Sequence, residues 1–386
     1  MVSWGSKGMG KIIVLSSNTS FSLYNFRLPL MRELKRLGYR VVAVSPKESD
    51  YAEFLAKEFE FYPIRHLDRK GTNPIKDFIL FLEYFRLYRK LKPELVINFT
   101  IKPNIYSSIA CGLLGIPSIS VVTGLGYAFI KEFWLTKLVK SLYKIAFSFN
   151  KYIIFLNRED KEFLKHLAGE KAYLIESEGI DTNFFSPEQC QSIEKNEFTF
   201  LFVGRLLKDK GVYELVKAFE HLKQDYPRVK LVIVGDVDKG NPASLKEEEL
   251  LSWKEQGLLK WFGFQKDVRP FYCMADCVVL PSYYREGIPR VLLEAMAMGK
   301  PIITTNSPGC KNVCLDGING FLVQPKDIEN LYLVMKRTIE LAPEILKKMG
   351  QKGREIVEEK YEISKIISQY TRIIEEVLNL KADHEK

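Results

Sequence analysis

Two carboxylates eight residues apart, Glu286 and Glu294, stand in the segment PSYYREGIPRVLLEAMAMGKP at 281–301. An apolar run ends at Leu280, and Pro289 fits the first turn of a helix, where its missing N–H costs nothing. Glu286 then falls in the loop and Glu294 inside the helix. Free backbone N–H groups and the positive end of the helix dipole gather at such a turn, which suits a diphosphate. A carboxylate among them can accept hydrogen bonds from sugar or ribose hydroxyls. Taken alone, the pair also fits a surface capping carboxylate and a solvated helix glutamate, and for a lone pair that is the commoner case. A second cluster changes the balance. The stretch GRLLKDKG at 204–211 follows one strand-like run and precedes a helical one. Arg205 offers a planar fork and Lys210 a point charge, both suited to phosphate oxygens, and Gly204 and Gly211 let the backbone approach closely. Both clusters lie in one half of the chain and read together as a clamp for a diphosphate. One Asp-x-Asp, Asp236-Val237-Asp238, invites a metal reading, but it ends a strand and reads as a solvated loop; no metal site is expected.

These side chains need elements to hold them. Short apolar runs at 11–16, 39–45, 95–99 and 118–123 read as buried parallel strands. Helical spacing fills the gaps at 26–37, 75–91 and 104–114. After a polar, aperiodic stretch near 180–197 the alternation restarts. Strands are expected at 198–203, 229–234, 258–262, 276–280 and 301–305, helices at 213–223 and 289–298, and two more helices to the end. Two such halves imply an α/β protein with two doubly wound domains, whose ligands sit at the carboxyl ends of the strands. The expected bounds are 11–187 and 197–365, with a C-terminal helix at 366–386 packing back on the first domain.

The totals agree with two domains. The chain has 386 residues, 46% hydrophobic and 27% charged, enough for two cores. Met1–Gly10 carries no apolar stretch of the kind a secretory leader needs and reads as appended sequence. No run is long enough to span a bilayer. The net charge of +9 is concentrated in residues 1–190, which hold 27 Lys and Arg against 19 Asp and Glu. Such a half attracts nucleic acid, an anionic membrane or a phosphorylated substrate. The segment YAFIKEFWLTKLVKSLYKIAFSFN at 127–150 mixes aromatics with Lys131, Lys137, Lys140 and Lys144, as an amphipathic helix at an anionic interface would. It also fits a core helix with solvated lysines. The six cysteines include the pairs Cys273/Cys277 and Cys310/Cys314. Their three-residue gaps do not match zinc knuckles, and they are expected to be reduced structural thiols, as in the cytosol.

Here a resemblance becomes specific. GRLLKDKG, VIVGD (232–236), WFGF (261–264), REGIPRVLLEAMAMGKPII (285–303) and DGINGFLV (316–323) resemble, in order and spacing, the donor domain of glycosyltransferase family 4. NFRLPLMREL (25–34), GTNPIKD (71–77), TIKPNIYSSIA (100–110) and VTGLGYAF (122–129) are similar to a branch of that family. The branch includes bacterial N-acetylgalactosaminyltransferases acting on undecaprenyl-diphosphate-linked sugars. The likeness implies a GT-B fold, two Rossmann-like domains facing each other across a cleft, and transfer that retains anomeric configuration. By the same likeness, Arg205 and Lys210 hold the donor diphosphate as leaving group and Glu294 binds ribose. Glu286 faces the sugar near its reacting carbon. Gly287, Ile288, Pro289, Arg290 and Val291 form the loop touching phosphates and sugar, and Phe264 lies in the loop that meets the base. Acceptor contacts are expected from Asn18, Thr19, Lys102, Asn104, Thr123, Gly124 and Gly126. The sequence departs from the family in two places. None of its four histidines stands where Thr123 ends a strand, and the loop SSNTSFSLYNF at 16–26 contains no glycine.

The expected reaction is therefore metal-independent transfer of a sugar, with an N-acetylhexosamine such as GalNAc implied by the branch. The donor is a UDP-sugar, a substrate rather than a cofactor, and no cofactor is expected. The acceptor is a polyprenyl-diphosphate-linked saccharide at the cytoplasmic face of an anionic inner membrane. No nucleic acid is expected, since no recognised nucleic-acid motif stands out. The alternatives are a UDP-sugar 2-epimerase of the same architecture and a transferase with a soluble acceptor. A dinucleotide dehydrogenase is disfavoured because no G-x-G-x-x-G follows the first strand.

Overall fold

In the computed structural model the described residues are 10–68, 71, 73–125, 133–190, 197–239, 241–284 and 287–384. The chain divides into two compact units, residues 1–178 with 365–386, and residues 179–364.

The first unit holds a seven-stranded parallel sheet in the order β3-β2-β1-β4-β5-β6-β7. Its strands are β1 (Ile12–Ser16), β2 (Arg40–Ser45), β3 (Glu60–Pro63), β4 (Leu95–Phe99), β5 (Ser118–Val122), β6 (Tyr152–Phe155) and β7 (Ala172–Leu174). Strands β4 and β5 are buried at every position between two helical layers, their polar Asn98, Ser118 and Ser120 included. Alternate residues feed two faces. Ile13, Leu15, Val41 and Ile97 pack against α2 (Leu28–Arg36) and α14 (Ile363–His384). Val14, Val42 and Val96 pack against Leu80, Tyr84 and Tyr88 of α4 (Pro74–Leu91) and Ala110 and Cys111 of α5 (Ser108–Leu113). Next to α5, α6 (Phe133–Phe149) and α7 (Arg158–Ala168) complete that second layer over β6.

The second unit repeats the plan with six parallel strands in the order β10-β9-β8-β11-β12-β13. They are β8 (Thr199–Val203), β9 (Lys230–Val234), β10 (Lys260–Trp261), β11 (Cys277–Leu280), β12 (Ile302–Thr305) and β13 (Gly320–Val323), around one core. Around them run α8 (Val212–Asp225), α9 (Glu247–Glu255), α10 (Arg269–Met274), α11 (Arg290–Ala297), α12 (Ile328–Glu340) and α13 (Pro343–Lys360). In each sheet the strand order reverses once, between β1 and β4 and between β8 and β11. A crevice opens at the carboxyl ends of the strands at such a reversal.

Three expectations need correction. The helix expected from residue 26 begins as a wider π-helical turn, Leu23–Arg27, before α2. Three helices, not two, follow β13, because Leu341-Ala342-Pro343 stops one and starts the next. The cysteines are not all free. Cys190 and Cys273, 83 residues apart, are joined as a disulfide. The turn Pro187–Gln189 brings Cys190 beside α10, where Arg269 Nη1 also donates to Gln189 Oε1 at 2.9 Å. Cys111, Cys277, Cys310 and Cys314 are buried thiols, and burial pushes the Cys314 thiol up to about 12.

Candidate active site

The loops that follow β8 and β11 are fastened together at the reversal point of the second sheet. Gly211 adopts φ +75°, and a Cβ there would lie 2.2 Å from the Pro281 carbonyl oxygen, so only glycine lets the two backbones meet. The Asp209 carbonyl accepts the Tyr283 N–H at 2.9 Å and the Ser282 hydroxyl at 3.4 Å. Lys210, at the end of the turn Lys208–Lys210, is thereby held against the segment that leads into the glutamate loop. Its side chain is buried, with Nζ 5.3 Å from the centroid of Tyr284. A second close approach joins β8 to β9. A Cβ on Gly235 would sit 1.8 Å from the Gly204 carbonyl oxygen, and the Gly204 N–H donates to Val234 O at 2.9 Å. Arg205 follows directly. It is half exposed, with Nη1 3.3 Å from Asp238 Oδ2. An exposed pair of this kind is worth about 0–1 kcal/mol, so a phosphate competes for the guanidinium easily.

Arg285, Glu286 and residue 240 lie outside the described residues. The loop resumes with buried Gly287, Ile288 and Pro289, and Pro289 stands at the N-cap of α11. Glu294 lies on α11 with a mostly buried carboxylate. Oε1 accepts Arg290 Nε at 2.9 Å and Oε2 accepts the Tyr272 hydroxyl, also at 2.9 Å. Burial, and then the Glu294 charge, push the Tyr272 phenol well above its ordinary value, so it stays a proton donor. A carboxylate has about four acceptor positions, and two are left for hydroxyls. Val291 is half-buried. Phe264 stands exposed in the loop after β10, near Gly263, whose carbonyl accepts the Gly235 N–H at 2.8 Å. Asp238 serves its loop, taking Asn241 Nδ2 at 2.9 Å as well as Arg205.

In the first unit a cavity of about 130 Å³ opens at the corresponding reversal, lined by Asn18, Thr100, Ile101, Lys102, Thr123 and Gly124. These residues follow β1, β4 and β5. Thr100 is held at φ +74°, unusual for a β-branched residue, and its buried Oγ1 has no hydrogen-bond partner among the described residues. The Lys102 ammonium reaches Asp77 Oδ1 of α4 at 2.5 Å, and Tyr106 donates its hydroxyl to Asp77 Oδ2 at 3.0 Å. Four of the expected acceptor residues thus share one cavity. Two stand apart from its lining. Thr19 caps the short helix α1 (Ser20–Ser22) by accepting the Ser22 N–H at 3.1 Å. Asn104 is fully buried, its Nδ2 donating to Val121 O at 2.9 Å. Gly126 lies outside the described residues.

Sequence reasoning passed over Asp77, Tyr106 and Tyr272, which fix the orientation of residues it did name. Asp77 closes the motif GTNPIKD, and that was its only visible signal; Tyr272 lies in an apolar helix and carries none.

Residues 187–356 match the family model described as Glycosyl transferases group 1, and residues 11–157 match Glycosyl transferase 4-like. Fold and family matches together define a glycosyltransferase of the GT-B class. Within that class the chain carries a 4-like glycosyltransferase domain in its first half and a group 1 glycosyltransferase domain in its second. It is 29% identical to a Campylobacter jejuni N,N'-diacetylbacillosaminyl-diphospho-undecaprenol α-1,3-N-acetylgalactosaminyltransferase, covering 82% of this chain and 86% of that relative. It is also 29% identical to an Escherichia coli UDP-Gal:α-D-GlcNAc-diphosphoundecaprenol α-1,3-galactosyltransferase, over 70% of this chain and 73% of the other. Among solved structures, a Rickettsia africae glycosyltransferase superposes with a TM-score of 0.78 at 20% identity, covering 97% of this chain and 99% of that one. Anabaena HepE, solved with UDP and glucose, gives 0.77 at 19% identity, covering 94% and 99%.

Proposed function

We propose that this glycosyltransferase moves an N-acetylhexosamine such as GalNAc from a UDP-sugar to a polyprenyl-diphosphate-linked saccharide, with retention and without a metal. The observation that carries the donor half is the stitching of the Lys210 turn to the 281–284 segment at the sheet's reversal point. The second unit, within 197–365, takes the donor; the first, within 11–187, takes the acceptor, for which the Lys102 cavity is the candidate. The printed names of the two curated relatives, both acting on undecaprenol-linked diphosphates, support the acceptor class.

In this reading the bond between the anomeric carbon and the β-phosphate oxygen breaks, and the acceptor hydroxyl oxygen bonds to that carbon on the same face. The hydroxyl proton passes to the departing phosphate, and UDP leaves. Charge developing on the diphosphate meets Lys210, Arg205 and the N-terminus of α11, which do the work a divalent cation would otherwise do. Glu294 accepts the ribose hydroxyls, Glu286 faces the sugar, and Phe264 borders the base. The enzyme works at the cytoplasmic face of the membrane. No helix among the described residues is long and apolar enough to cross a bilayer. Attachment is peripheral, through α6, where Leu138 and Ile145 are exposed beside Lys137 and Lys144. Lys140 serves the protein instead, its Nζ 4.3 Å from the Phe163 ring, and Lys131 lies outside the described residues.

Lys210→Ala is the test. Turnover with UDP-GalNAc and a polyprenyl-diphosphate disaccharide falls by about 10²–10³, as for loss of one preorganised donor at a developing anion, while the melting temperature holds. Near-normal turnover overturns the clamp. Activity abolished by EDTA and restored by Mg²⁺ overturns metal independence.

A further inference from the structure

Helix α4 is apolar on the side that faces away from the core. Leu80, Tyr84 and Tyr88 point inward to the sheet, as the core side of the helix requires. Ile75, Phe78, Ile79 and Leu82 recur at i, i+3, i+4 and i+7 on another side, with Ile75 71% and Phe78 60% exposed. Burial against the sheet does not explain this stripe, and scattered surface apolar residues do not fall into such spacing. Lys76, Arg86, Arg89 and Lys90 are exposed on the same helix. Its two acids are turned to other work. Asp77 is buried against Lys102 and Tyr106, and Glu83 accepts the backbone N–H groups of Arg65 and His66. The outward side is therefore apolar and cationic together.

The stripe has a neighbour of the same kind. α4 packs on α5 and α5 on α6, with the Phe149 ring lying against Gly112. Leu113 of α5 is 60% exposed, and α6 adds Leu138, Ile145 and Phe149. One helical layer of the first unit thus carries apolar side chains flanked by lysines and arginines on more than one helix. A protein partner would need acidic groups to match every flank, whereas an anionic lipid surface supplies them everywhere and accepts apolar side chains between its headgroups. Position adds to this. One turn of α4 carries Ile75, Phe78 and Ile79 outside and Asp77 inside, and Asp77 holds the lysine that lines the candidate acceptor cavity. A lipid-linked diphosphate must leave its chain in a bilayer while its headgroup reaches such a cavity.

We propose that α4 is a second membrane-seating helix, which inserts Ile75, Phe78 and Ile79 into an anionic bilayer next to the acceptor site. The inference rests on the lipid-linked acceptor reading above and extends the contact beyond α6. The test uses the full chain with phosphatidylcholine vesicles, with and without phosphatidylglycerol, read by co-sedimentation. Ile75→Ser with Phe78→Ser should weaken binding to the anionic vesicles by about tenfold or more, the scale expected for two apolar side chains withdrawn from a lipid interface. Turnover with a short-chain, water-soluble acceptor and the melting temperature should stay as in the wild type, because both side chains are exposed. Turnover with acceptor embedded in vesicles should fall. Unchanged vesicle binding in this variant, alongside lost binding in Leu138→Ser with Ile145→Ser, overturns the α4 proposal and leaves the α6 reading intact. Wild-type protein that stays in the supernatant with both vesicle types overturns the membrane contact altogether. A variant that turns a dimer into a monomer with vesicle binding unchanged assigns the stripe to self-association and also overturns the proposal.

Discussion

Tyr272 donates a hydrogen bond from a fully buried position to a carboxylate that the substrate is expected to meet from the other side. Its partner Glu294 is also braced by Arg290, so two of its acceptor positions are spent on holding it still. In its proposed role at the ribose, a carboxylate fixed in this way would lose little rotamer freedom on receiving two hydroxyls. Removing the phenol hydroxyl deletes one hydrogen bond to a charged acceptor, worth about 1.5–3 kcal/mol. Tyr272→Phe should accordingly raise the donor KM about tenfold or more, with kcat close to the wild type. With a donor lacking the ribose 2′-hydroxyl the penalty should shrink, since the contact that Tyr272 supports is then already missing. Steady-state kinetics with the two donors checks this. An equal penalty for both would make Tyr272 a packing residue only.

At the scale of elements, the turn between β8 and α8 works because residue 211 has no side chain. Gly211→Ala meets two obstacles, the left-handed φ of +75° and the Pro281 carbonyl 2.2 Å from the new methyl. The first alone costs about 1–2 kcal/mol. The second is relieved only by parting the loops that hold Lys210 against 281–284. The variant should melt earlier and lose turnover to nearly the extent of Lys210→Ala, as a thermal melt paired with an activity assay would show. Much of this neighbourhood was legible in the chain. The run at 277–280 is a continuous apolar stretch, that at 95–99 is broken only by Asn98, and glycines bracket the cationic turn. What stayed hidden depended on residues far apart in sequence. The Cys190–Cys273 bond needs a turn packed on α10, and nothing in the local pattern announces a partner 83 residues away. Helix α3 (Asp50–Glu58) and strands β3 and β7 were passed over because they are short and only partly buried, so their periodicity is weak. The Asp77–Lys102 pair is similar: Lys102 was expected to meet the acceptor, but its tie to Asp77 emerges only when α4 and the end of β4 are brought together.

Taken as a whole molecule, the first unit is completed by the last helix of the chain. Ile366, Tyr370, Ile373, Ile374, Val377 and Leu378 are buried in the same core as β1, β2 and β4. Six such side chains, at about 1.5–3 kcal/mol each, contribute on the order of 10 kcal/mol, comparable with the entire stability of a domain. A chain ending at Ser364 should therefore lose the first unit's unfolding transition, while the second unit, whose core lacks these residues, still melts cooperatively. Calorimetry of the two lengths separates these outcomes. The second unit, for its part, begins and ends at one place: the Ile180 N–H donates to Tyr361 O, and the Ile363 N–H donates to Ile180 O, each at 2.9 Å. Entry and exit are thus neighbours, and residues 179–364 form a cassette spliced into the first unit's chain. If the proposed division of donor and acceptor between the units holds, a gene that exchanged this block with a relative's would swap one substrate preference and keep the other, with only two junctions to repair.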